Sequence, residues 1–348
     1  MTIVTSGKVL ITGVNGFLGT WVAKKLLEEG YAVRGTVRSE DKSVYLKKLY
    51  SNFGDKFEST VVPDITKDGA FDGAVKDVNA IIHLAAPFHM SAVDPAEIIN
   101  PAVEGTNSVL QSTLTHGTRV RRFVLTSSVA AIMELLPEAP VFNEESWNEQ
   151  SIRNCREQGK DAQQHDKYLA SKTLSERAAW DFVEKNKDRI KFDLVVLNPA
   201  IVLGPILHEV ADPMKLNMSM LEHYISVVAG ARSDEELFAI NNSWVDIRDV
   251  ADAHALALQK QEAAGERLLI AAEPYVWQEW VNAAHAQDSS LPAGNPNADI
   301  SKAVYQMKYS NEKAARILGS TKYKTKEETT RDILVSYREK GWLPVPQS

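Results

Sequence analysis

Tyr168 and Lys172 stand four residues apart in HDKYLASKTLSE, residues 165–176. Positions i and i+4 lie on one face of a helix, one turn apart. A phenol beside an ammonium makes a proton donor whose acidity the cation tunes. Ser128, at the end of RFVLTSS, adds a hydroxyl able to stabilise charge developing on a substrate oxygen. The three suit carbonyl reduction, in which hydride goes to carbon and a proton to oxygen. A free phenol titrates at about 10, too high to exchange protons readily at neutral pH. The Lys172 ammonium, with the positive ring of an oxidised nicotinamide, is expected to lower that value. Tyr309 and Lys313, in YSNEK, repeat the spacing. They follow the last expected sheet strand, with no serine-bearing strand before them. SNEKAARILG reads instead as a surface helix capped by Ser310 or Asn311.

Hydride transfer requires a dinucleotide, and TGVNGFLGT offers a place for one. Gly13, Gly16 and Gly19 follow a strand and open a helix. Glycines there let the backbone turn tightly and approach a pyrophosphate, which then sits on the helix N-terminus. The second strand ends GTVRSEDK, without the acid that grips the ribose hydroxyls of NAD. Arg38 can instead meet a 2′-phosphate through charge-assisted hydrogen bonds, and Lys42 adds a second positive charge. Glu40 and Asp41 lie past the expected strand end. The expected cofactor is NADPH.

These groups need a scaffold that brings them together. KVLITG (8–13) reads as a buried strand, and FLGTWVAKKLLEEG as a helix stopped by Gly30. YAVRGTVR (31–38), FESTVVPDI (57–65), VNAIIHLAA (78–86), RFVLTSS (122–128) and FDLVVLNPAIV (192–202) continue the series, with helical segments between them. Continuous apolar strands alternating with helices predict an α/β fold: a doubly wound parallel sheet covered on both faces. Such a sheet binds ligands at the carboxyl ends of its strands. Beyond Pro199 the pattern loosens. NNSWVDIRDVADAHALALQKQ reads as a short strand and a helix, GERLLIAA as another strand, and the tail as short helices and loops. The expected division is a dinucleotide-binding domain over residues 1–200, with 240–272 returning to it, and a smaller, mostly helical substrate-binding region over 201–348.

TGVNGFLG, HLAAP, FVLTSS, YLASK, NPAIVLGP and WVDIRDVADAH occur in this order over nearly the first 255 residues. This set resembles the extended short-chain dehydrogenase/reductases, which have a Rossmann fold. TVRSEDK, FNEESWN and NPAIVLGP resemble the branch of dihydroflavonol reductases and fungal methylglyoxal or aldehyde reductases. The resemblance implies an NADP-dependent oxidoreductase acting on CH–OH groups, a carbonyl or aldehyde reductase. It implies Ser128, Tyr168 and Lys172 as catalytic residues, with Lys172 also on the cofactor. Gly13, Gly16, Phe17, Leu18 and Gly19 match the phosphate loop, and Arg38 and Lys42 the 2′-phosphate site. Asp64 and Ile65 match an adenine-contacting pair, and Leu84, Ala85 and Ala86 the strand end beneath the cofactor. Thr126 falls on the same strand end as the serine, and Pro199 and Val202 flank the nicotinamide. Glu104 stands where related reductases often carry asparagine, and the Asn-Trp-Tyr-Cys-Tyr signature of cinnamoyl-CoA reductases is absent.

Apolar, flexible side chains near these positions suit a pocket for hydrophobic carbonyls. Phe88, in AAPFHM, and Met133, five residues after Ser128, are expected at its wall. Met214, Met218, Leu221 and Tyr224 lie on a later amphipathic segment, and His208 follows GPIL. Core packing is the other reading for each methionine. His165 either lines the entrance or lies on the surface, and His83 is expected to be a buried, hydrogen-bonded histidine. No histidine pair has metal-ligand spacing with a third ligand, so no metal is expected.

A net charge of -7 disfavours nucleic acid and anionic membrane as partners, and RVRR at 119–122 is too short to count. One cysteine, Cys155, permits no internal disulfide, and its surroundings carry no nucleophile signature. With no leader-like N-terminus and no long apolar run, a soluble cytoplasmic enzyme is expected, its partner a small carbonyl compound. Two rivals use similar parts. A nucleotide-sugar epimerase or dehydratase would retain NAD, and Arg38 and the apolar loops argue against it. A non-catalytic NADP-sensing protein need not keep Ser128, Tyr168 and Lys172.

Overall fold

A computed structural model describes residues 3–86, 91–136, 140–319 and 322–343. Its strands are β1 (Lys8–Thr12), β2 (Ala32–Val37), β3 (Phe57–Val61), β4 (Ala80–His83), β5 (Arg122–Thr126), β6 (Val141–Phe142), β7 (Asp193–Pro199), β8 (Ile201–Leu203), β9 (Asn241–Asp246), β10 (Arg267–Ile270), β11 (Glu273–Val276) and β12 (Lys308–Tyr309). Its helices are α1 (Phe17–Glu28), α2 (Asp41–Leu49), α3 (Ala96–His116), α4 (Glu149–Gln158), α5 (Gln164–Lys185), α6 (Met218–His223), α7 (Asp234–Ala239), α8 (Ile247–Gln259), α9 (Trp277–Gln287), α10 (Glu312–Leu318) and α11 (Lys326–Glu339).

Seven strands form one parallel sheet in the order β10-β7-β5-β4-β1-β2-β3. The alternation of side chains along a strand divides its core in two. Val9 and Ile11 of β1 join Val22, Leu26, Val250 and Leu258 from α1 and α8. Leu10 points to the other face and joins Val109, Leu110 and Ala179 from α3 and α5. With both faces covered, the central strands need no polar side, which is why they read as unbroken apolar runs. Strand order reverses between β1 and β4, so a crevice opens at their carboxyl ends. Arg122 is fully buried, pairs with Asp193 at 2.7 and 3.0 Å and donates to the Ala257 carbonyl at 2.6 Å. It is therefore a lock between β5, β7 and α8, not part of a basic surface.

The chain leaves the sheet after Pro199, turns once at Ala200, and β8 enters a second, three-stranded sheet, β11-β9-β8. FDLVVLNPAIV is thus two strands, not one. Around the small sheet a separate core gathers Trp244, Trp277, Trp280 and Tyr337. The tail holds longer helices than the expected short ones. α11 has 14 residues and begins with a reciprocal cap between Thr325 and Glu328. Among the described residues no helix is long and apolar enough to cross a membrane.

Candidate active site

α5 carries Tyr168, Lys172 and Glu176 at i, i+4 and i+8, so all three share a face. The Tyr168 hydroxyl is hydrogen-bonded to Ser128, which sits two residues past β5. Ser128 Oγ accepts from the Ala130 amide at 3.1 Å, leaving its own hydrogen free to donate. Burial pushes the Tyr168 phenol up to about 12, opposed by the bond from Ser128. Burial draws Lys172 down to about 8, opposed by the charge of Glu176. The expected lowering of the phenol is therefore not found in the site as it stands. Desolvation dominates with the Ser128 bond as the opposing cause, and the cation that would act is itself depressed.

Polar ties fix the start of α5. Lys167 Nζ donates to the carbonyls of Ala92, Val93 and Lys160 at 3.1, 2.9 and 3.0 Å. Asp166 accepts from Ser151 Oγ at 2.8 Å and Asn154 Nδ2 at 3.0 Å on α4. His165, between the ties and Tyr168, is exposed.

On the cofactor side, Gly13 has φ +67° and a Cβ there would lie 3.2 Å from Ala85 Cα. A Cβ on Gly19 would meet the Gly13 carbonyl oxygen at 2.4 Å, so only glycine lets α1 start this close to the turn. Gly16 occupies the N-cap of α1 and supplies no capping side chain, and no acid lies in the first turn. The opening amides at Phe17 and Leu18 therefore face an anion-compatible space. Arg38 and Lys42 are exposed at the end of β2 and on α2. Asp64 accepts from the amide and hydroxyl of Thr66 at 3.0 and 2.7 Å, and these bonds, with Arg38 nearby, hold its carboxyl low. Ile65 packs on the α3–α5 face of the sheet, against Gly105. The amides of Leu84 and Ala85 both donate to Thr12 Oγ1 at 3.0 Å, and Ala86 is exposed beside them. With both lone pairs taken, Thr12 must donate to His83 Nδ1, 2.8 Å away. His83 is thus buried and bonded, and burial drags it to about 3. Thr126 Oγ1 lies 2.6 Å from His254 Nε2. Pro199 ends β7, and Val202 on β8 accepts from Ser219 Oγ at 2.6 Å.

The substrate side departs from expectation. Phe88 lies outside the described residues. Met133 is 4% exposed and packs in the main core. His208 is buried and lies edge-on to Phe17, ring centres 5.5 Å apart, which places it by the start of α1. Met214 and Met218 are exposed, while Met220 is the methionine turned inward. Leu221 is partly buried on the second core, and Tyr224 donates to the Trp342 carbonyl at 3.1 Å. A wider turn over Tyr224–Val228 follows α6 and changes its facing. Glu104 is exposed on the α3–α5 cleft with Asp181 and Lys185, away from Lys172.

Tyr309 and Lys313 do not share a helix face. Tyr309 is on β12, and Lys313 on α10 pairs with Glu266 at 2.5 Å. Asn311 is the N-cap residue, but its side chain donates to the Ala271 carbonyl at 2.7 Å. One group escaped the sequence reading although it lay in the quoted motif. Glu176 is fully buried beneath Lys172 and joins Ser127, Asn198 and Arg267. The signal was there as a third residue at helical spacing.

The sequence model of the NAD dependent epimerase/dehydratase family matches residues 9–271. The NADPH-dependent methylglyoxal reductase of Saccharomyces cerevisiae is 32% identical over 337 residues, 93% of this chain and 96% of that one. A ketoreductase of Aspergillus niger is 36% identical over 330 residues, 90% of this chain and 93% of that one. The crystal structure of yeast methylglyoxal/isovaleraldehyde reductase complexed with NADPH superposes with a TM-score of 0.86 at 31% identity, covering 97% of this chain and 100% of that one. The chain belongs to the NAD-dependent epimerase/dehydratase family, the extended short-chain dehydrogenase/reductases, and groups there with the fungal methylglyoxal reductases.

Proposed function

We propose that this protein is an NADPH-dependent carbonyl reductase that converts a ketone or aldehyde to an alcohol and runs in reverse as an alcohol dehydrogenase. The observation that carries the reading is the Tyr168–Ser128 hydrogen bond at the sheet's carboxyl edge, with Lys172 one turn along. The NADPH-dependent reductases among its relatives support it. NADPH supplies the hydride. Ser128 Oγ donates to the substrate oxygen, and Tyr168 Oη delivers the proton as negative charge builds there. Lys172 holds positive charge beside that hydroxyl and reaches the cofactor.

The residues present fit a dinucleotide. Gly13, Gly16 and Gly19 leave the open, acid-free start of α1 for a pyrophosphate, lined by Phe17 and Leu18. Arg38 and Lys42 meet the 2′-phosphate, Asp64 and Ile65 the adenine, and Leu84, Ala85, Ala86 and Thr126 floor the crevice. Pro199 and Val202 flank the nicotinamide. In this reading residues 1–200 and 240–272 form the dinucleotide-binding domain. The rest shapes the substrate side, where exposed Met214 and Met218 suit an apolar carbonyl. A single cysteine fits a reducing cytoplasm.

Initial-rate titrations with NADPH and NADH on a panel of aryl ketones, β-keto esters and methylglyoxal test the reading. Arg38→Ala is the variant to include. A hydrogen bond to a charged group contributes about 1.5–3 kcal/mol. Losing it should raise KM for NADPH by about ten- to a hundredfold, with NADH little changed. Arg38 is exposed, so added salt should narrow the NADPH preference of the wild type. A wild type that prefers NADH, or an Arg38→Ala variant with unchanged NADPH affinity, removes the 2′-phosphate assignment and revives a sugar epimerase with retained NAD.

A further inference from the structure

Glu176 is fully buried, yet it faces neither water nor the expected substrate. Its Oε2 accepts from Ser127 Oγ at 2.6 Å and Asn198 Nδ2 at 2.8 Å. Its Oε1 accepts from Arg267 Nε at 2.5 Å. Asn198 Nδ2 also donates to the Ser128 carbonyl at 3.1 Å. The carboxylate thus gathers the ends of β5 and β7 and the start of β10 onto α5. Arg267 is held in turn by the carbonyls of Glu144, Ser146 and Ala131, and its guanidinium lies 3.8 Å from the centre of the Trp147 ring. A buried ion pair is no better for stability than well-packed apolar residues, since desolvation offsets the attraction. Stability alone does not call for one here.

We propose that Glu176 is a positioning residue for the reaction, clasping the segment that carries Ser128 and placing negative charge one turn beneath Lys172. The inference rests on the reductase reading above. Ser128 is held from both sides, by the side chain of its neighbour Ser127 and by Asn198 on its own carbonyl. Of the charged groups near Lys172, Glu176 opposes the burial that draws the ammonium down. Tyr168 lies on the same helix, and His83 faces Lys172 from β4 and is neutral. Other charges on the packed elements are tied away from it. Asp193 on β7 pairs with Arg122, Glu149 on α4 with Arg177, and Glu104 on α3 lies on the outer cleft. Asp166 and Lys167 hold the start of α5.

The test is the pH profile of NADPH-dependent ketone reduction, with melting temperature and NADPH dissociation constant measured alongside. If Lys172 must be an ammonium, activity falls as pH rises through its pKa. Glu176→Gln keeps the shape and removes the charge, so this midpoint should move down by about one pH unit. Turnover at pH 8 should fall about tenfold, with NADPH binding within about twofold of wild type. Glu176→Gln leaves Arg267 unpaired and is at risk of misfolding, so Glu176→Gln/Arg267→Gln is made beside it and should show the same downward shift. Ser127→Ala retains the ion pair. It should lower turnover about three- to tenfold with an unmoved midpoint, and it decides the matter if neither charge variant folds. A role in folding alone would lower the melting temperature without moving the midpoint. An unmoved midpoint in a folded charge variant, or full turnover in Ser127→Ala, overturns the proposal. A wild type inactive on every ketone with NADPH would instead remove the reductase reading beneath it.

Discussion

Tyr168→Phe is expected to lower turnover by about 10²–10⁴-fold, the worth of a positioned general acid. The substitution deletes one oxygen and keeps the ring. The ring is half-buried, so its packing survives, and the fold loses the hydroxyl's bond to Ser128. One neutral hydrogen bond contributes about 0.5–1.5 kcal/mol, so the melting temperature should fall only slightly. The glycine turn and Arg38 are untouched, and NADPH should bind as before. Tyr309→Phe is the matched control. Its hydroxyl is buried on β12 and has no hydrogen-bond partner among the described residues. Removing an unsatisfied hydroxyl is neutral or stabilising, and turnover should not change. Near-normal turnover in Tyr168→Phe would show that another group delivers the proton.

The proposed catalytic group could be read from the sequence because residue chemistry and helical period coincide there. Spacing alone did not single out Tyr168 and Lys172, since Tyr309 and Lys313 repeat it; their place after the strand that leads to Ser128 did, and the strands around them are largely apolar because both faces of the sheet are covered. The glycine turn was legible for a steric reason. A side chain at Gly19 would strike the Gly13 carbonyl, so the residue type records the close approach.

The substrate side was less legible because no fixed period governs it. Met214, Met218 and Tyr224 read as one amphipathic stretch, but α6 has only six residues and the turn over Tyr224–Val228 is wider. The facing changes within two turns, and Met220, not its neighbours, enters the core. FDLVVLNPAIV gave no sign of its break, because an apolar run looks the same in one sheet as across two. Asn198 is one of its two polar residues, with Asp193, and its amide serves Glu176 and Ser128. The tail read as short helices and loops, although Thr325 and Glu328 have the spacing of the reciprocal cap that opens α11.

Stability should be lost steeply on acidification, with half-unfolding below about pH 5.5. His83, His208, His223 and His254 are all buried. Burial draws them from the ordinary value of 6.5 to about 3, 4, 3 and 4. Below pH 6.5 the unfolded chain binds protons that the folded chain refuses. Stability therefore rises with pH across this window and is lost as pH falls from 6.5 towards 3–4. Each histidine contributes about 1.4 kcal/mol per pH unit well inside the window. Asp249 acts in the opposite direction, since burial raises its carboxyl to about 6 and the folded form gains a proton first. Three net protons leave a slope of about 4 kcal/mol per pH unit, against a typical total stability of about 5–15 kcal/mol. Urea melts at pH 7.5, 6.5, 5.5 and 4.5 measure this slope directly. His223 lies among Trp277, Trp280 and Tyr337, and its Nε2 has no partner among the described residues. Replacing it by phenylalanine should flatten the slope by about 1.4 kcal/mol per pH unit. A wild type whose stability holds flat from pH 6.5 to 4.5 would mean that these imidazoles take up protons inside the fold.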